Sequence, residues 1–226
     1  MAPEHPAQCQ SLLGAAGAQA VGVTRLDAQK KSLRASERNE AARQKWRENL
    51  RQVNAADLVF IDECGSHLAL TPLYAYAPRG ERAWGSVPKN RGENTTILGA
   101  LALGGIAAAM TIEGAADTLT FEAFIEHCLV PVLPVGSLIV MDNLSIHKSA
   151  KVRALLEQAG CWVVFLPTYS PDLNPIELAW SKLKEGLRRA GARTRELLET
   201  AIEEALKTIT AQDAAHWFRH CGCHFI

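Results

Sequence analysis

Three short runs of this chain are apolar on both faces, and two of them end on an acid. Val59-Phe60-Ile61 runs into Asp62, Leu138-Ile139-Val140-Met141 runs into Asp142, and Cys161 to Leu166 enters a Pro/Ser/Asp-rich turn. A strand covered by helices on both sides of a sheet reads this way, so strands are predicted over 58–63, 137–142 and 161–166. Two longer runs, Thr95 to Leu103 and Ile106 to Glu113, are joined by Gly104-Gly105. They predict an antiparallel hairpin whose two-residue turn takes positive φ at both glycines.

Between the strands the apolar period changes to that of a helix. Ser36 is the predicted cap of a helix reaching about Gln52, with Ala42, Trp46, Leu50 and Val53 at helical spacing. That narrow stripe is expected to dock on the sheet or on another subunit. Thr118 opens a helix carrying Leu119, Phe121, Phe124, Ile125 and Leu129 and closed by Pro131 and Pro134, and Lys148 to Ala159 is another, stopped by Gly160. Past the turn, Asn174-Pro175 opens a helix whose buried face is read as Leu178, Leu183 and Leu187, and Thr194 to Thr210 adds a further amphipathic helix. The order β, hairpin, α, β, α, β, α predicts an α/β fold, a mixed five-stranded sheet flanked by helices.

Composition narrows this only a little. The 226 residues are 48% apolar, enough for one sizeable core. Residues 1–23 carry no trusted pattern and are expected to be a poorly ordered lead, 24–53 a basic linker and helix, and 54–226 the main domain. With 24 basic and 24 acidic side chains the chain is formally neutral, which argues against a protein that coats DNA. The charge is nevertheless uneven. Lys30, Lys31, Arg34, Arg38 and Arg43 crowd one stretch, and Lys182, Lys184, Arg188, Arg189, Arg193 and Arg195 follow Glu177. Either cluster alone reads as a solvated helix face.

Cys9, Cys64, Cys128 and Cys161 are scattered, three of them in apolar segments, so no oxidised framework is predicted. The tail residues His216, His220, Cys221, Cys223 and His224 lack the Cys-x-x-Cys spacing of a zinc site and read better as a helix ending near Gly222. No apolar stretch is long enough to span a membrane. Met1 to Gln10 holds no Lys or Arg, so a signal peptide is not predicted and a cytoplasmic location is expected.

The chemistry gathers around three acids. If strands 58–63 and 137–142 lie side by side and parallel, Asp62 and Asp142 emerge at one edge of the sheet, and a helix packed on it brings Glu177 beside them. Clustered acids repel unless a cation neutralises them, and hard oxygen ligands suit Mg²⁺ or Mn²⁺. Glu177 has a second reading: with Asn174 as N-cap and Pro175 at the first helical position, it falls where a Glu closes a capping box. Both readings stand on the sequence. Glu63, adjacent to Asp62, points to the opposite face and is the poorer ligand.

Three blocks carry a family resemblance: Phe-Ile-Asp-Glu-Cys-Gly at 60–65, Met-Asp-Asn-Leu-Ser-Ile-His-Lys at 141–148, and Ser-Pro-Asp-Leu-Asn-Pro-Ile-Glu at 170–177. They resemble the catalytic blocks of bacterial insertion-sequence transposases of the mariner-like superfamily, and the 34 residues from 143 to 176 match that group's Asp-Asp-34-Glu spacing. The likeness runs from about Lys30 to the C-terminus. It implies a ribonuclease-H-like fold and makes Asp62, Asp142 and Glu177 the catalytic, metal-binding residues. They would hold two Mg²⁺ (or Mn²⁺) ions, which activate water or a DNA 3′-hydroxyl and stabilise the leaving oxygen. Asn143 and His147 match the group's Asp-Asn-x-x-x-His block and are possible supporting residues with Asn174, although Asn143 and His147 read equally well as groups that cap and pack the turn. The segment Ala-Pro-Arg-Gly-Glu-Arg resembles a family segment and brings Arg79 and Arg82 forward as DNA contacts; beside a metal site, Lys182, Lys184, Arg188 and Arg189 join them.

The resemblance also implies DNA as partner, transposon ends and target alike, and a homodimer that synapses two ends. Only 61 residues precede Asp62, whereas relatives carry helix-turn-helix modules there. The expectation is therefore a truncated or frameshifted transposase half, with an end-binding half encoded upstream. The alternatives are a non-catalytic fragment that restrains a full-length transposase, and a stand-alone ribonuclease-H-like nuclease.

Overall fold

The computed structural model describes residues 35–224. The predicted lead 1–23 and the basic residues Lys30, Lys31 and Arg34 lie outside them. Strand β1, Leu58–Ser66, is the central strand of a five-stranded sheet ordered β3-β2-β1-β4-β5. It pairs antiparallel with β2, Thr95–Ala102, and parallel with β4, Leu138–Met141. Strand β3, Gly105–Glu113, and β5, Trp162–Phe165, form the two edges. Alternation along β1 sends Phe60 and Cys64 to one apolar cluster and Val59 and Ile61 to another, so a core lies on each face of the sheet.

On the first face lie α4, Ile176–Ala190, with α5, Arg195–Lys207, and α6, Ala211–His220. Helix α1, Glu40–Leu50, joins the same core through Trp46 and Leu50. On the second face, α2, Thr118–Ala123, continues through a π-helical stretch, Phe124–Leu129, and packs with α3, Ala150–Gln158. The expected mixed sheet flanked by helices is what forms. Among the described residues, no helix is long and apolar enough to cross a membrane.

Several local expectations are corrected. Asn39, not Ser36, caps α1, accepting from Ala42 N at 2.9 Å. The buried side of α1 is Arg43, Trp46 and Leu50, while Ala42 is exposed. The hairpin pairs Ala102 with Gly105, so the turn residues are Leu103 and Gly104, and of the two glycines Gly105 has the positive φ, at 114°. Leu119 is exposed on α2. The buried face of α4 is Ile176, Ala179, Trp180, Leu183 and Leu187, with Leu178 at its margin. At the C-terminus, α6 ends at His220 and Gly222 follows with φ 87°, the helix end that its position predicts. Cys221 and Cys223 are buried there, and burial pushes both thiols up to about 12.

Candidate active site

The parallel pair β1/β4 is in register at Phe60 and Val140, so two residues further along each strand Asp62 and Asp142 stand at the same level and on the same face. Strands β1 and β4 share the sheet edge where β5 also ends, the usual place for a site in an open α/β sheet. Helix α4 begins just beyond the loop that leaves β5. A cleft of about 450 Å³ results, lined by Asp62, Asp142, Glu177, Asn143, Asn174 and the loop 166–171.

Asp62 is only 8% exposed. Burial pushes its carboxyl up to about 7, against the Glu63 N–H that favours the anion, and the neighbouring charges of Glu177 and Asp142 push the same way. Its two oxygens accept from Glu63 N at 2.8 Å and from Asn174 Nδ2 at 3.1 Å. Asp142 behaves oppositely. Burial opposes its ionisation, but the His147 ring and the Leu144 N–H outweigh that and hold its carboxyl below the usual range. Leu144 N donates to Asp142 Oδ1 at 2.9 Å in an Asx turn.

His147 Nδ1 lies 2.7 Å from the same Asp142 oxygen, outside the angular range of a directed hydrogen bond. The His147 ring is buried against Phe121 of α2, with centroids 4.5 Å apart. Asn143 Nδ2 donates to Leu166 O at 2.6 Å, while Leu166 N donates to Met141 O at 2.9 Å. Asn143 thus ties the ends of β4 and β5 together. His147 and Asn143 hold the loop that presents Asp142. Glu63, half-buried, is raised first by burial and also feels His147 and Asp142, but it is not among the cleft residues.

The loop between β5 and α4 departs from the capping-box expectation. Pro175 is the N-cap of α4 and supplies no side-chain bond; Asn174 is turned to Asp62 instead. Its buried Oδ1 has no partner. The cap is lost because the Asn174 amide serves a carboxylate 112 residues earlier in the chain. Glu177 is left exposed at the mouth of the cleft in the first turn of α4, where the unsatisfied N–H groups favour a negative charge. Tyr169, also lining the cleft, holds φ 54°, a left-handed conformation rare outside glycine.

Sequence reasoning missed what holds this loop from behind. Arg43 of α1, fully buried, donates from Nη1 and Nη2 to the two oxygens of Asp172 at 3.0 and 2.6 Å. Burial opposes ionisation of Asp172, but Arg43 outweighs it and lowers the carboxyl below its usual range. The signal was present: Arg43 sits three residues before Trp46 and seven before Leu50, on the buried stripe.

The basic residues separate. Arg79 and Arg82 lie in an exposed loop with Tyr74, Tyr76 and Trp84. Lys182 is engaged within the fold, donating to Thr208 O at 2.8 Å and to Asp213 of α6 at 2.6 Å. Lys184 lies by the Cys64 thiol, which burial raises and the Lys184 charge opposes. Arg188 and Arg189 line a groove against Pro72, Leu73 and Tyr74, with Arg189 paired to Glu185 at 2.7 Å.

The three acids share the cleft without closing on one point. Among the described residues no three His, Cys, Asp or Glu side chains are gathered tightly enough to grip an ion. The contacts above show why: Asp62 is held by Asn174 and the Glu63 N–H, and Asp142 by the Leu144 N–H and the adjacent His147 ring. The donor set nevertheless suits a hard cation, with carboxylates that repel one another and the buried, unpartnered Asn174 Oδ1 beside them.

Comparison with known proteins agrees with this architecture. A search of curated proteins finds no match. Among solved structures, the chain is similar to a Mos1 transposase paired-end complex with left transposon end (TM-score 0.67, 17% identity, 87% of this chain and 64% of that one). It is also similar to a Mos1 mariner paired end complex with Mn (0.64, 16%, 89% and 64%) and to the Mos1 transposase catalytic domain with Raltegravir and Mn (0.61, 15%, 84% and 92%). The chain thus spans about 64% of the length of the first of these and 92% of the isolated catalytic domain. At such identities the likeness is one of fold, the ribonuclease-H-like fold. The model of the DDE superfamily endonuclease family matches residues 57–199, which hold all three acids and well over half of the chain, and this protein therefore belongs to that family.

Proposed function

We propose that this chain is the catalytic domain of a transposase, cutting DNA at transposon ends and joining the freed 3′-hydroxyl to a target. The observation that carries the reading is the convergence of Asp62, Asp142 and Glu177 on one cleft, with Asp62 raised to about 7 by burial beside two other acids. Asp62, Asp142 and Glu177 would hold two Mg²⁺ or Mn²⁺ ions. Bound there, the metal supplies an activated oxygen nucleophile and charge stabilisation at the leaving oxygen.

The protein's own groups do the rest. Asn174 keeps the Asp62 carboxylate aimed into the cleft, and Asn143 and His147 hold the Asp142 loop. Arg79, Arg82, Lys184, Arg188 and Arg189 are the residues proposed to contact the DNA backbone. A salt-dependent grip with little sequence preference follows from that. We extend the proposal to a homodimer that holds two ends, to an end-recognising helix-turn-helix module encoded upstream, and to a cytoplasmic setting.

The test is Glu177→Gln. Glu177 has no capping box to lose, so the melting temperature without metal stays within about 3 °C of the parent. The rise in melting temperature on adding Mn²⁺ becomes smaller, and Mn²⁺-dependent nicking of duplex DNA is lost. A variant that responds to Mn²⁺ and nicks like the parent removes Glu177 from the site.

A further inference from the structure

We propose that Gly99 is a seat for the Trp180 ring, and that this contact positions Glu177 against Asp62; the inference rests on the three-carboxylate reading above. Gly99 is the cross-strand partner of Asp62 on β2, so the two residues lie side by side on the same face of the sheet. A Cβ at Gly99 would stand 2.4 Å from Trp180 Cη2 and 3.1 Å from Cζ2, roughly 1 Å inside ordinary contact. The benzene ring of the indole occupies the space where any other residue carries its side chain. Gly99 is not among the glycines with positive φ, so its backbone does not require glycine. The ring does.

Trp180 is three residues after Glu177, on the same side of α4. It is 2% exposed, and its indole Nε1 is buried without a hydrogen-bond partner. Shape alone therefore holds the ring. Helix α4 also starts without a side-chain cap, so its first turn has no local anchor of that kind. Seating Trp180 over Gly99 sets the height of that turn above β1 and β2, and with it the distance from Glu177 to Asp62. Gly99 and Trp180 are positioning residues: neither is among the residues that line the cleft. Filling the seat lifts the helix by about 1 Å, a displacement that costs on the order of 10²-fold where geometry must be met.

The experiment compares Gly99→Ala, Trp180→Phe and the double variant in the full chain. Mn²⁺ is titrated while thermal unfolding is followed, and nicking of duplex DNA is measured over the same range. In Gly99→Ala the Mn²⁺ concentration giving half the melting-temperature shift rises about tenfold or more, and nicking falls with it. In the double variant the smaller ring makes room for the methyl group, and both readouts return to within about threefold of the parent, a non-additivity that independent sites do not show.

A Gly99→Ala variant that melts lower but keeps the parent's Mn²⁺ response overturns the proposal, because the contact then only packs the core. A double variant no better than Gly99→Ala overturns it as well. If Gly99→Ala does not fold, the double variant decides: folded with the parent's Mn²⁺ response it supports the seat, and without that response it refutes it. The reading beneath fails separately, and takes the seat's role with it, if the parent itself shows no Mn²⁺ response or if Asp62→Asn leaves that response unchanged.

Discussion

Replacing Asp62 with Asn should make the protein more stable, and more so as pH rises. Burial pushes the carboxyl up to about 7 in the folded chain, against the ordinary 3.8 of an aspartate in water. Folding therefore takes up a proton between those values, and stability falls as pH rises from about 4 to about 7, then levels off. The gap of about three units corresponds to about 4 kcal/mol at pH 8. Asp62 shares its titration with two neighbouring acids, so the measurable part is smaller, about 2–4 kcal/mol or roughly 5–15 °C in melting temperature.

An Asn fits the site. Its amide oxygen still accepts from Glu63 N, and its amide nitrogen meets the unpartnered Asn174 Oδ1 once that side chain turns over. Other acids contribute the opposite slope, so the quantity to follow is the difference between variant and parent. Denaturant unfolding at pH 4.5 and pH 8 without metal measures it: the difference is small at the lower pH and reaches its full size at the higher. Saturating Mn²⁺ should stabilise the parent and leave the variant nearly unmoved. A difference independent of pH, or an Asn variant less stable at pH 8, would refute the claim that an uncompensated carboxylate is buried at this position.

Further outcomes test the supports of the site and the basic residues around it. Asp172→Ala leaves the fully buried Arg43 cation with only Glu40, 3.5 Å from its Nε, whereas Arg43→Met leaves a half-exposed carboxylate that water can serve. Urea unfolding should show a loss of about 3–5 kcal/mol for Asp172→Ala and a smaller loss for Arg43→Met, with the double variant recovering part of it. Lys182→Met should lower stability through its lost bond to Asp213, whose carboxyl the Lys182 bond holds down at about 2, and should leave retention on heparin or duplex DNA unchanged. Replacing Arg188 and Arg189 by Gln should do the reverse, reducing the slope of log affinity against log salt by about 1 to 2 while the melt stays in place.

Much of this protein is set by local pattern. Doubly apolar runs this short, rich in β-branched residues and bounded by turn residues, read as interior strands, and the hairpin and the helices follow from periods of 2 and 3.6. Two of those strands end on acids, so Asp62 and Asp142 were legible as soon as a parallel neighbour relation was assumed, and the blocks around them, with the spacing to Glu177, identified the third member. The pairing of Phe60 with Val140 supplies that neighbour relation.

What stayed hidden depends on partners distant in the chain. Asn174 has the composition and position of an N-cap, whose side-chain oxygen accepts from the helix N–H groups; its amide nitrogen instead donates to a carboxylate on β1, and a tertiary hydrogen bond stands in place of the local one. Arg43 reads as one more cation in a basic stretch, because its partner Asp172 follows 129 residues later. Lys182 reads as a phosphate contact until α6 folds back and presents Asp213. Gly99 reads as an ordinary strand residue, since its lack of a side chain matters only to a ring on a helix that packs across it. Periodicity records which face of an element is buried; which group meets it there is decided when the layers close.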